Sequence, residues 1–577
     1  MNTEYPPHVL RQYALIADGE RGAIIGPRGD ISWMCAPKWH DGAVFADLLG
    51  GNGQFAVTPV DRFVWGGYYE DGTLIWRSRW ITNDGPIECR EALAFPGDEH
   101  RAVVLRRILA HDHDAKVAVI LDPRADYGRA NAKDLQRRDG IWTAKVGDLH
   151  VRFRGLPDAK DDDGVLHQEL VVPHGRHHDL VLEISDRPFQ EEPVDPNHAW
   201  RATESTWQDV VPRFENCLYP SSTKHSYAIL RGLTSRSGGM VAAATTSLPE
   251  RAGTGRSYDY RYVWIRDQCI TGQAIAASGA HPLLDDAVRF VTARLLEDGD
   301  KLIPAYLVDG GRVPDQFSLD LPGYPGGSNL IGNHVNDQFQ LDAFGESLLL
   351  FAAADMHGRL DDEARKAARI AANAIARRWQ EADAGMWETV PKLWTESRLM
   401  CVAGLKAFAR IESANDAALH LTLADQILGE TARTCVHPSG RWQRAPDDDR
   451  VDASLLLPPL RGALAPDDPR TVATLQAVLR DLSDDGYVYR FRHDDRPLQD
   501  AEGSFLFCGF LLALALHQQG RNVDAIGWHE RTRAACGPPV IYTEEFDVHQ
   551  HQLRGNLPQA FVHAAMIQSS AELAQNG

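Results

Sequence analysis

The sequence predicts a β-rich first third joined to a helical remainder, and three observations carry that expectation. Short β-prone runs separated by turn residues fill the chain up to about Pro193, the composition shifts there, and from about Ser222 apolar residues recur at helical spacing. At 577 residues the chain also exceeds what one hydrophobic core fills, so two domains are expected.

Taken in order, residues 1–192 read as an antiparallel β-sandwich. Leu74 to Phe95 alternates around Asn83-Asp84-Gly85, a hairpin signal between two β-prone runs. Further strands are expected at Phe55–Val60, Ala102–Leu109, Lys116–Leu121, Leu149–Phe153, Leu166–Val172 and Leu180–Ser185, with turns such as Asp161-Asp162-Asp163-Gly164 between them. Close, regular spacing favours a sandwich over βαβ units. Residues 193–221 read as a helical linker, with Asp195-Pro196-Asn197 starting a helix through Trp200 and Trp207. In residues 222–577, Leu283, Leu284, Ala287, Val288 and Val291 follow i, i+3, i+4 spacing, Asp361–Gln380 is rich in alanine and arginine, and Ser504–His517 is apolar on nearly every side. Long helices alternating with loops such as Gly310–Asn333, without a fixed-period repeat, favour a closed barrel of paired helices over a solenoid.

Composition narrows the function. With 80 acidic against 60 basic residues the net charge is −20, which argues against nucleic acid or an anionic membrane as the main partner. Met1 to His8 has no basic or apolar leader, and Phe505–Leu516 is far too short to span a membrane. The eight cysteines are scattered without CxxC pairs, as reduced thiols of a cytoplasmic protein would be. His111 with His113, His174 with His177 and His178, and His549 with His551 lack metal-site spacing, so no metal is expected. There is no GxSxG elbow and no Walker A loop, and Gly50-Gly51-Asn52-Gly53 is a turn, so no cofactor is expected either.

The run Ser257 to Gln268 stands out, with Tyr258, Tyr260, Tyr262 and Trp264 interleaved with Asp259, Arg261, Arg266 and Asp267. Aromatic planes cover the apolar faces of a sugar ring, and an Arg–Asp pair reads its hydroxyls. A buried ion pair in an aromatic core is the other reading. Glu388 follows Gly385-Met386-Trp387 in what reads as a loop after Gly385 ends a helix, either a general acid whose pKa is raised by desolvation against Trp387 or a helix-entry glutamate favoured by the dipole. Glu544 begins Glu544-Glu545-Phe546-Asp547, ahead of Gly555-Asn556-Leu557-Pro558. An acid and a base flanking an acetal linkage stand about 6.5–9.5 Å apart when a water must fit between them.

These segments together resemble glycoside hydrolase family 15. The resemblance is carried by Tyr13–Asp18, Gly29–Cys35, Ala242–Glu250, Tyr258–Asp267, Leu321–Tyr324, Gln340–Asp342, Gly345-Glu346 and Gly555–Phe561. It implies a "super-sandwich" β domain, a helical linker, an (α/α)6 catalytic barrel and an inverting, cofactor-free mechanism at a terminal α-glucosyl unit. Glu388 falls on the family's general acid and Glu544 on its general base, with Glu545 beside it in the paired-acid motif. Arg266 and Asp267 fall on the pair that holds the nonreducing sugar, Arg490 matches a further hydroxyl-binding arginine, and Tyr260, Trp264 and Trp387 supply aromatic walls. Two departures bear on substrate. Glu396 stands where bacterial relatives commonly show histidine, and Asp337 stands where many carry glutamate and is the one expected to touch sugar or water.

The leading expectation is an inverting exo-α-glucosidase acting on short isomalto- or malto-oligosaccharides, a small neutral substrate. Trehalose hydrolysis is the nearest alternative, and a catalytically silent carbohydrate-binding protein the alternative from another class. No starch-binding module is evident at either end, and homo-oligomerisation stays open.

Overall fold

Two eight-stranded sheets, wholly antiparallel, lie between Ala14 and Ser185 in a computed structural model that describes residues 6–253, 255–279 and 282–575. Met1–Tyr5, part of the stretch read for a leader, lies outside the described residues. In pairing order one sheet runs 14–17, 22–25, 30–35, 54–59, 115–122, 165–172 and 160–162, with 43–45 added on 30–35. The other runs 132–138, 141–146, 149–154, 177–185, 101–110, 86–93, 76–82 and 63–69. The expected hairpin is present, with Thr82 N–H donating to Gly85 O at 3.0 Å and Gly85 at φ +135°. Trp76, Ser78, Trp80 and Thr82 alternate inward from strand 76–82, and Phe55 meets Phe153 edge-on across the sandwich core at 5.7 Å.

The strands that sequence patterning misses have a common cause. Segments 14–17, 22–25 and 30–35 are buried on both faces, because one face packs in the sandwich and the other against the helical domain, so no alternation marks them. At the opposite extreme 132–138 is almost wholly solvated and polar. Asp161 and Asp162, expected as part of a turn, join Lys160 in a short strand, and the reversal itself falls on Asp163 and Gly164, both at positive φ.

Helix α1 (Pro196–Val210) starts at Asp195, whose carboxylate accepts the His198 N–H at 2.9 Å. Trp207 stacks on Phe95 at 4.1 Å and Arg90 lies over Trp200, so the helix is clamped to the outer face of the second sheet. The barrel follows as α2 (Pro220–Leu233), α3 (Ile265–Ser278), α4 (Pro282–Asp298), α5 (Asp342–Met356), α6 (Asp362–Arg378), α7 (Thr395–Ala409), α8 (Ala414–Cys435), α9 (Leu457–Leu460), α10 (Pro469–Asp481), α11 (Leu498–Ala501), α12 (Leu506–Gln518), α13 (Asn522–Arg533) and α14 (Ala560–Ala574). Helices α3, α5, α7, α9, α12 and α14 each pack on the next, and α14 returns to α3, closing an inner ring. Helices α4, α6, α8, α10, α13 and α2 lie outside it, which makes an (α/α)6 barrel. The inner helices are buried nearly all round, whereas outer α6 buries only its alanine stripe and Ile375. Gly385 does not end a helix as expected. Helix α6 stops at Arg378, and Gly385 sits at φ +68° inside the loop before α7.

Part of the seam between sandwich and barrel is built around a buried ion pair. The Arg261 guanidinium pairs with Asp259 at 2.7 and 2.9 Å, both side chains fully buried, and donates to the Asp41 carbonyl, the Cys35 sulfur and the Tyr127 hydroxyl of the sandwich. Trp33 donates its indole N–H to Ala244 O at 3.0 Å beside it. Replacing Arg261 with leucine would strand Asp259 as an unpaired buried charge. The expected loss is about 3–5 kcal/mol, read as a clear fall in the thermal unfolding midpoint, and an unchanged midpoint would contradict it.

Candidate active site

A cavity opens at the N-terminal ends of the inner ring, lined by connections running into inner helices and by the first turns of α3 and α14. Its volume is about 320 Å³. Inner-helix dipoles point their positive ends at it, a setting that favours carboxylates.

Residues 258–262 are extended against 242–247, with Ser247 N–H bonding Tyr258 O and Ala243 N–H bonding Tyr260 O. Successive side chains therefore take opposite faces. Asp259 and Arg261 enter the domain seam, while Tyr258, Tyr260 and Trp264 line the cavity. Tyr262 turns back and donates its hydroxyl to Asp259 at 2.9 Å. The buried-ion-pair reading thus fits Asp259–Arg261, and only the second pair, Arg266–Asp267, reaches the cavity. It does so because α3 begins at Ile265, which puts both residues in its first turn.

Around Arg266 the contacts are dense. Its Nη1 donates to Gln340 Oε1 at 2.9 Å and lies 3.8 Å from Asp342, its Nη2 donates to Glu388 Oε1 at 3.4 Å, and its Nε is 3.7 Å from Asp267. Burial, reinforced by Glu388 and Asp342, pushes the Asp267 carboxyl up to about 7, although Arg266 pulls against it. Glu388 also accepts the Trp264 indole N–H at 2.5 Å. Its backbone is at φ +51°, a strained conformation for a residue with a side chain. The loop that imposes it is anchored by Asp383, whose carboxylate accepts the Leu341 and Gly385 N–H groups and the Ser397 hydroxyl.

Glu544 faces the same cavity in a different environment. Tyr260 donates its hydroxyl to Glu544 Oε2 at 3.0 Å, and burial, with Glu250 adding to it, pushes the Glu544 carboxyl up to about 8 against the pull of Arg490. Desolvation was expected at Glu388 against Trp387. It falls on Glu544 instead, because the Glu388 side chain keeps 23% of its surface open beside two N–H donors, and the Trp387 indole N–H turns away to Asp452 at 2.9 Å. Trp387 still lines the cavity, as does Arg490, which pairs with Glu502 at 2.7 Å. Arg490, with His493, holds Glu502 down to about 2 despite its burial.

Two expected site residues, Glu545 and Asp337, stand elsewhere, as does the departure Glu396. Glu545 is behind the cavity wall, accepting the Gly503 N–H at 2.8 Å and pairing with Arg256 at 3.1 Å, because strand geometry turns it to the face opposite Glu544. Asp337 is exposed at the end of a one-turn helix, and its neighbours His334 and Gln338 line the cavity in its place. Glu396 is buried in the first turn of α7 below the cavity, where burial and then Asp342, Glu346 and Asp383 raise its pKa well above the usual range. Sequence reasoning missed Glu250, Arg256 and His493 as lining residues. Glu250 ends the motif Ala242–Glu250, and Arg256 abuts the aromatic run, which was the signal available. Among the described residues, no three His, Cys, Asp or Glu side chains converge as metal ligands would.

Facing carboxyls, a cation and aromatic walls at the mouth of an (α/α)6 barrel define a glycoside hydrolase. The chain belongs to glycosyl hydrolases family 15, whose sequence profile matches residues 224–571, and a profile described as "Trehalase-like, N-terminal" matches residues 4–185. A protein named trehalase from Mycobacterium tuberculosis is 28% identical over 98% of this chain and 89% of its own. Another, named trehalase 1, from Sulfolobus acidocaldarius is 27% identical over 98% and 99%. In architecture the chain is similar to a bacterial glucoamylase complexed with acarbose, with a TM-score of 0.73 at 15% identity, covering 99% of this chain and 94% of that one.

A Cβ at position 385 would lie 2.6 Å from the Trp394 ring, on a backbone at φ +68°. Gly385→Ala is therefore expected to shift the loop that carries Glu388, and a shift near 1 Å costs on the order of 10²-fold in kcat/KM. Wild-type turnover in this variant would show that the loop does not set the position of Glu388.

Proposed function

We propose that the enzyme is an inverting α,α-trehalase. The observation that carries the reading is the pair of cavity carboxyls, each bound by a different aromatic. Trp264 binds Glu388, Tyr260 binds Glu544, and the two rings meet edge-on with centroids 5.6 Å apart. Two carboxyls in different settings favour separate acid and base roles, as the family's inverting mechanism requires. The choice of trehalose over the short malto- and isomalto-oligosaccharides favoured from sequence rests on the relatives named trehalase, on the matching N-terminal profile, and on a cavity at the small end of ligand pockets.

In this reading Glu388 starts protonated and gives its proton to the glycosidic oxygen as the C1–O bond breaks. Glu544 starts ionised and takes a proton from the water that bonds to C1 from the opposite face. The raised pKa of Glu544 makes it a stronger base once ionised. Arg266 and Asp267 hold the hydroxyls of the attacked glucose, and Trp264, Trp387 and Arg490 form the walls around it. Carboxylates near C1 stabilise the oxocarbenium character of the transition state.

The test is proton NMR of products from trehalose, maltose, isomaltose, kojibiose and nigerose. Trehalose is expected to give equal initial amounts of β- and α-glucose, the attacked unit inverted and the leaving unit unchanged. Two α-glucoses would exclude inversion, and turnover of maltose or isomaltose without trehalose would return the specificity to the first expectation. Glu388→Gln and Glu544→Gln are each expected to lose roughly 10²–10⁴-fold in kcat. Trehalose binding by Glu388→Gln, measured calorimetrically, should survive, and a binding-only protein would show no turnover to lose.

A further inference from the structure

Glu250 is a further carboxyl in the cavity wall beside Asp267, Glu388 and Glu544, from a segment 294 residues before Glu544. It is buried, pairs with Arg256 at 2.6 Å, and its Oε1 lies 3.4 Å from the Tyr260 hydroxyl that also donates to Glu544. Burial and the surrounding carboxylates raise the Tyr260 pKa well above its ordinary value, so this hydroxyl keeps its single proton throughout the working range. One O–H cannot serve two carboxylates fully. When Glu544 gains a proton, it becomes a donor to the Tyr260 oxygen, and the Tyr260 proton is free to turn to Glu250.

We propose that Glu250 is a positioning residue for the catalytic base, acting through Tyr260 to orient Glu544 and to receive the proton that Glu544 draws from water. The inference rests on the assignment of Glu544 as base. The transfer balances. Water loses a proton to Glu544 as its oxygen bonds to C1. The Glu544 O–H then passes its proton to the Tyr260 oxygen while the Tyr260 proton moves to Glu250. Tyrosine ends neutral, Glu544 is again a carboxylate, and Glu250 holds the proton until it exchanges with solvent, which also resupplies Glu388.

The charged surroundings are consistent with this route. On the loop before α3, Arg256 and Tyr258 face Glu250, and Asp267 approaches Glu544 from α3 itself. Arg490 approaches both acids, Glu502 and Glu545 also contact Arg256, and His493 is bound to Glu502. Arg256 thus has three carboxylate partners and leaves Glu250 only partly neutralised.

The experiment is the kcat/KM–pH profile for trehalose in Glu250→Gln, Tyr260→Phe and the double variant, with thermal melts as folding controls. Glu250→Gln is expected to lower kcat roughly 10-fold at little change in KM. Removing its negative charge also lowers the Glu544 pKa, so the limb of the profile that Glu544 sets should move to lower pH. Because both residues act on one path, the double variant should be no slower than the slower single one. Glu250→Asp keeps the charge and is expected to leave that limb in place while restoring part of kcat, which also provides the readout if Glu250→Gln fails to fold. An unmoved limb, additive losses, or no rescue by aspartate would overturn the proposal. Glu544→Gln separates the two levels. If it stays active, the base assignment itself fails; if it is inactive while the Glu250 results go the wrong way, only the relay fails.

Discussion

The Asp259–Arg261 pair is the constraint on which the rest of the molecule depends. A pair this deeply buried gains little net stability over apolar residues of the same size, yet losing one partner is severe. Its value here is geometric. By committing the odd-numbered side chains of one extended segment to the seam, it fixes the even-numbered Tyr258 and Tyr260 on the cavity side and sets where α3 begins. Arg266, Asp267 and Trp264 inherit their positions from that register. A slip of one residue would exchange seam and cavity faces.

Below the cavity the barrel interior carries more acid than it neutralises. Asp342, Glu346, Asp383 and Glu396 are all buried, and both oxygens of Asp342 lack a hydrogen-bond partner. Burial pushes Glu346 and Asp383 up to about 7, so these groups are held near the point where they give up their charge. Stability is being traded for a field. Asp267 and Asp342, the acids with the largest effect on Arg266, keep that guanidinium firmly cationic, and a cation held by its own counter-ions presents a fixed set of donors to a neutral sugar.

How much of this the sequence reveals depends on the range of the interaction. The hairpin at Asn83–Gly85, the Asp195 cap and the alanine stripe of α6 were legible because each is local and periodic. Strands 14–17 and 30–35 were not, since burial on two faces erases the pattern. The resemblance placed Glu388, Glu544, Arg266 and Asp267 along the chain, and the structure brings all four to one cavity. It did not foresee which carboxyl is desolvated. That depends on Glu250, Tyr260 and Arg490 approaching Glu544 from distant loops, and on the exposure of Glu388. Asp337 failed as a candidate because one turn of 3₁₀ helix swings it to solvent while Gln338, the next residue, faces in.

The seam also bears on how such a chain can be recombined. Cys35, Asp41 and Tyr127 of the sandwich complete the shell of a barrel residue, so the sandwich is part of the wall that holds the cavity segment in register. A chimera cut in the linker, joining the sandwich of one homologue to the barrel of another, would inherit mismatched halves of one polar cluster. The unit that can be exchanged is discontinuous, pairing the sandwich face that bears these residues with residues 257–262.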